Sequence, residues 1–151
     1  MCQIRKLRLQ TPRLFNWTDP FKKPGNEKRL SGLVDDWPEH FKLKILPSLP
    51  VSLLIPFFKA NIGRPSKDIL TMLGVYILQE MWDYTDSEVL RHLKYDDCFK
   101  WALDIQELND TTLYVSPKTL YNFRLLIKEN DLESKIFNQT TRDLIEQFEV
   151  D

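Results

Sequence analysis

A chain of 151 residues, 42% apolar and 28% charged, suits one globular domain with a sizeable core, and a formal charge of −1 selects no partner. The charge is unevenly spread: residues 1–30 hold eight basic and two acidic side chains, a net +6, and the remainder holds 13 basic and 20 acidic, a net −7. Two distant cysteines, Cys2 and Cys98, exclude a disulfide framework or a zinc spacing. The N-terminus lacks the apolar run of about 7–15 residues that a signal peptide needs, so a cytoplasmic protein is expected.

Residues 1–29 carry Pro12, Pro20, Pro24 and Gly25 and no sustained period, which predicts an extended basic arm. Its basic residues interleave with Phe15, Trp17 and Phe21, a pattern that serves either docking onto the body or contact with nucleic acid. Residues 30–151 read as a single helical domain. A short helix is expected from Arg29 to Asp36. Another starts at Pro38, with Phe41, Ile45 and Leu46 at helical spacing behind it, and ends at Pro47 and Pro50. Val51 to Phe58 allows a further turn or two around Pro56.

The chain is organised around a central helix at about residues 67–82. Ser66 is expected as its N-cap and Asp68 in its first turn. Ten of the 14 residues from Ile69 to Trp82 are apolar and surround the helix, as in a buried one. The run falls short of the roughly 20 apolar residues of a membrane span.

Thr85 and Glu88 fit a capping box for a short amphipathic helix to about Lys94. Asp96 or Asp97 can cap the next, which buries Phe99, Trp101, Ala102 and Leu103. Glu107 to Val115 reads as a polar, β-tending loop. Ser116-Pro117 then pairs an N-cap with a first-position proline and opens a helix to about Lys128, and a last helix runs from about Leu132 to Phe148. The expected fold is all-α: a compact multi-helix bundle.

No nucleotide-binding glycine loop is present, His40 and His92 lack ligand-spaced partners, and Cys98 has no electropositive setting. Asp83, Asp86, Glu88, Asp96 and Asp97 sit where helix caps and solvated turns are expected. No catalytic residue, metal ligand, cofactor or small-molecule substrate is predicted for this chain.

The short helices from Thr85 to Lys128 fit a helix-turn-helix variant whose last helix enters the major groove. On a wheel for Pro117–Glu129, Leu120, Phe123, Leu126 and Ile127 form the buried side. Lys118, Tyr121, Asn122 and Leu125 face outward, with Thr119 and Lys128 nearer the flanks. Lys118 and Asn122, at i and i+4, can reach one groove, where lysine serves phosphate or guanine and asparagine pairs with adenine. Arg124 lies closer to the apolar side, where a structural role competes with a DNA contact.

Five motifs in order then match a known family: Gly63-Arg64-Pro65, the apolar helix Ile69–Trp82, Thr85–Glu88, Asp96–Trp101 and Thr119–Arg124. Together they resemble the N-terminal domain of insertion-sequence transposases of the DDE type, over about residues 35–148. The resemblance implies binding to the transposon's terminal repeats and assembly with other transposase chains, with no membrane partner. It also implies that cleavage belongs to a following RNase H-like domain, whose carboxylates hold divalent metal. The chain stops at Phe148-Glu149-Val150-Asp151, where that domain would begin, so the expectation is a truncated, frameshifted or split transposase that does not cleave DNA alone. The candidate DNA contacts are Arg64, Lys67, Arg91, Lys118, Thr119, Tyr121, Asn122 and Lys128. The competing readings are a protein–protein module that pairs with itself or with full-length transposase, or an inert gene remnant.

Overall fold

Eleven consecutive residues, Ile69 to Gln79, are buried, and this run is most of one helix, α3 (Ile69–Trp82). A helix with apolar side chains on every side has no solvent face and must be enclosed by the rest of the chain. The computed structural model describes residues 25, 27–58, 68–105 and 109–148, and most of what it describes encloses α3. Residues 1–24, which make up most of the expected arm, lie outside the described residues.

The start of α3 differs from expectation. Asp68 occupies the cap position with an extended ψ of 121°, so it precedes the first turn rather than belonging to it. Its carboxylate accepts a hydrogen bond from Thr71 Oγ1 at 2.8 Å, a local bond that a short acidic side chain makes outside the helix. Ser66, the expected cap, lies outside the described residues. At the other end Asp83 adopts a left-handed conformation at φ 53°, and the N–H groups of Asp83 and Tyr84 both return to the Gln79 carbonyl.

The elements before α3 are helical but irregular. α1 (Glu27–Val34) begins two residues before the expected start, so Arg29 is helical rather than part of the arm. α2 (Trp37–His40) is capped by Asp36, whose carboxylate accepts from the Trp37 N–H at 2.7 Å. Beyond it the backbone widens over Phe41–Ile45, the Leu46 N–H reaching back to the Phe41 carbonyl, and then tightens to a 3-10 turn at Leu46–Ser48. Pro47 has no N–H to give to the ladder, which accounts for the change of pitch. Two more 3-10 turns, Val51–Leu53 and Ile55–Phe58, complete this side.

After α3 come α4 (Asp86–Tyr95), α5 (Asp97–Ala102), α6 (Asp110–Leu113), α7 (Pro117–Glu129) and α8 (Glu133–Phe148). The caps match expectation: Thr85 and Glu88 form a reciprocal box, Asp96 caps α5, and Ser116 accepts from the Thr119 N–H at 3.1 Å. The expected β-tending loop is corrected by α6. Asn109 and Thr112 cap one another's backbone across a single helical turn, a local bond set that outweighs the β preference of the threonines. No strand occurs among the described residues, and none of their helices is long and apolar enough to cross a membrane.

The tightest crossing is at Gly74. A Cβ added there would stand 2.3 Å from Leu103 Cδ2, and Leu103 is itself fully buried just past α5. Glycine inside a helix costs about 1 kcal/mol relative to alanine, which this close approach offsets. Gly74→Ala is therefore expected to destabilise by about 1–2 kcal/mol net of its propensity gain. The thermal midpoint should fall by about 2–4 °C per kcal/mol, and adding Leu103→Ala should cost less than that change costs alone. A Gly74→Ala melt at or above the wild-type midpoint would contradict this packing.

Candidate nucleic-acid interface

α7 is fixed before it is exposed. Leu120, Phe123 and Ile127 are buried along one side, at spacings of three and four. Phe123 meets the ring of Tyr76 on α3 edge-on, with centroids 6.4 Å apart, and Tyr76 also packs on Phe137 of α8 at 6.1 Å. The Tyr76 hydroxyl donates to Glu133 Oε1 at 3.4 Å. Burial, reinforced by the Glu133 and Glu80 carboxylates, pushes this phenol well above its ordinary pKa, so it remains a donor.

The second fixture is polar. Arg124 donates through both terminal nitrogens to the Asp86 carboxylate at the start of α4, the Nη2–Oδ2 contact being 2.9 Å. Gln79 Nε2 of α3 donates to the same carboxylate at 2.8 Å. One carboxylate thus ties three helices together, and the two-pronged geometry sets the rotation of α7 about its axis. Asp86 is more than the solvated turn residue its position suggests, and Arg124 takes the structural side of its two expected roles.

The other carboxylates of this stretch are also engaged. Asp96 accepts the Cys98 N–H at 2.9 Å and lies 2.8 Å from His92 Nδ1. The imidazole of His92 stacks between Tyr84, at 4.5 Å, and Phe99, at 5.0 Å, a packed structural setting. Asp97 pairs with Arg29 of α1 at 2.8 Å and Lys100 at 3.7 Å, and Glu88 is turned back to the Thr85 N–H. Burial and the neighbouring Asp96 raise the Cys98 thiol pKa, against a nucleophilic role.

What remains outward on α7 is polar. Lys118, Tyr121, Asn122 and Lys128 are exposed, and Leu125 is half-buried. Lys118, Tyr121 and Asn122 stand at i, i+3 and i+4, on one face. Thr119 is half-buried and turned to its own cap, its Oγ1 lying 2.8 Å from Ser116 Oγ. Arg91 is exposed on α4, and Arg64 and Lys67 lie outside the described residues.

A second outward face did not enter the sequence prediction. Lys94 and Tyr95 follow Arg91 at i+3 and i+4, and the Lys94 ammonium lies 5.8 Å from the ring centroids of both Tyr95 and Tyr114. Tyr114 lies just before the cap of α7, so the open side of α4 continues into the segment that leads to α7. The i, i+3, i+4 spacing of Arg91, Lys94 and Tyr95 was visible in sequence, whereas the approach of Tyr114 was not.

The family model described as Transposase domain (DUF772) matches residues 28–125, from α1 to the last turns of α7. The chain belongs to this transposase domain family, and membership points to a role in transposition. Comparison with curated proteins and with solved structures finds no significant match.

Removing the clamp on α7 should be costly. Arg124→Ala leaves the Asp86 carboxylate with Gln79 as its one remaining side-chain donor among the described residues, and about 1–2 kcal/mol of stability is expected to go, the pair being about one-third exposed. In a denaturant double-mutant cycle, Asp86→Ala and Arg124→Ala should lose less together than the sum of their separate losses. Strict additivity would show that the pair does not hold α7.

Proposed function

We propose that this chain is a DNA-binding domain of a transposase that engages the element's terminal repeats, with α7 presented to the major groove in the manner of a helix-turn-helix protein. The observation that carries the reading is the outward Lys118–Tyr121–Asn122 face of a helix whose opposite side is packed and whose rotation is set by Arg124. Lys118 and Asn122 read base edges, while Lys128 and Arg91 contact phosphates. Arg64, Lys67 and the basic arm add phosphate contacts, and Thr119 acts through the cap that positions Lys118.

In this reading the chain does not cut DNA. Asp86, Asp96 and Asp97 are engaged by Arg124, His92 and Arg29, which supports caps and ion pairs as their use. Strand cleavage and joining, with their divalent metal, belong to a separate catalytic unit, and the domain works in the cytoplasm on DNA. A second reading, pairing with another transposase chain, draws support from Met81 and Trp82, large apolar residues exposed at the end of α3. Light scattering with and without DNA separates the two.

Affinity for terminal-repeat DNA is expected to fall steeply with salt, with a logarithmic slope of about −0.9 per phosphate neutralised. A flat salt profile, or no binding at any salt, counts against the proposal. Lys118→Ala combined with Asn122→Ala is expected to weaken terminal-repeat binding about tenfold or more, and random-sequence binding much less. Equal loss on both would reassign the two residues to phosphate contact.

A further inference from the structure

Tyr95 is 74% exposed and Tyr114 54% exposed, and among the described residues neither hydroxyl has a hydrogen-bond partner. Exposed tyrosines are common singly. Two that share one ammonium, with a second cation a helical turn away, are a different arrangement. Lys94 serves both rings at 5.8 Å, and among the described residues neither Lys94 nor Arg91 has an ion-pair partner. The nearby carboxylates are occupied: Asp96 by His92 and its cap, Asp97 by Arg29 and Lys100. The patch is therefore cationic and aromatic, although the body of the protein is acidic.

We propose that Tyr95 and Tyr114, with Lys94 between them and Arg91 alongside, form a stacking clamp for unpaired nucleotides at a DNA end. The inference rests on the DNA-binding reading above and extends it to a second strand state. A paired base offers a protein only its edge, because its faces are covered by neighbouring bases. An unpaired base offers a face, and a solvent-exposed ring is the group that takes it, while adjacent cations hold the phosphates. The outward face of α7 has the opposite character, a lysine and an asparagine suited to paired edges and backbone. The α4 side thus receives frayed or single-stranded DNA and α7 receives the duplex.

The test uses the full chain and two labelled probes, an oligothymidine of about 20 nucleotides, whose bases are open, and a random-sequence duplex of about 20 base pairs. Tyr95→Ala with Tyr114→Ala is expected to weaken oligothymidine binding about tenfold or more and to leave duplex binding unchanged, while Phe at both positions retains wild-type affinity. Lys118→Ala with Asn122→Ala should leave oligothymidine binding unchanged and weaken the random-sequence duplex only modestly, its main loss falling on terminal-repeat duplex. Both tyrosines lie on the surface, and an unchanged circular dichroism melt confirms that the variants fold. No binding of the wild type to oligothymidine, unchanged oligothymidine binding by the alanine variant, or equal loss on both probes overturns the clamp; the second result with normal DNA binding leaves the rings to a protein partner. Tyrosine-dependent oligothymidine binding without duplex binding upholds the clamp and rejects the role of α7.

Discussion

A helix buried on every side places one demand on the rest of the chain: each of its faces must be covered, and any polar group it carries must be answered from outside. In α3 that polar group is Gln79, 4% exposed, and its amide donates to Asp86. The same carboxylate receives Arg124, so this polar contact of α3 also orients α7. The pair is about one-third exposed, so it is the two-pronged geometry of Arg124 on Asp86, shared with Gln79, that makes the three-helix junction specific. Apolar packing of Phe123 on Tyr76 brings α7 to α3, and the ion pair decides which way α7 faces.

Charge follows from the same pairing. The segment from Asp86 to Asp97 is rich in carboxylates, and by sequence it looks like an acidic surface. Once folded, Asp86, Asp96 and Asp97 lie against Arg124, His92 and Arg29, each from a different position in the chain. Arg91, Lys118 and Lys128 remain exposed on α4 and α7, with Lys94 half-buried beside Arg91. Folding therefore engages several carboxylates of an acidic stretch of sequence while leaving basic groups exposed beside them.

The irregular elements before α3 do not weaken this arrangement. Phe41 and Leu46 are buried despite the change of helical pitch between them. Trp101 donates to Glu39 at 2.6 Å, and the Lys42 ammonium lies 3.9 Å over the Trp101 ring. These contacts hold α2 and the widened turn against α5, and α5 in turn brings Leu103 onto Gly74. The backbone departs from a regular helix over Phe41–Ser48, ahead of and at Pro47, and the side-chain contacts are retained.

The sequence by itself determined that the chain is helical, where most helices begin, and which side of α7 is apolar. These are properties of residues within four positions of one another: Thr85 with Glu88, Ser116 with Pro117, Leu120 with Phe123, and Phe123 with Ile127. The start of α3 and the turn at α6 were misplaced because short polar side chains such as Asp68 and Asn109 can bond either into or outside a helix. Only the tertiary structure decided that Asp86 meets Arg124, 38 residues away, that Arg29 meets Asp97, 68 residues away, and that Lys94 reaches Tyr114. Such pairs depend on which helix faces are brought together when α3 is enclosed, and periodicity within one helix holds no information about the register of another.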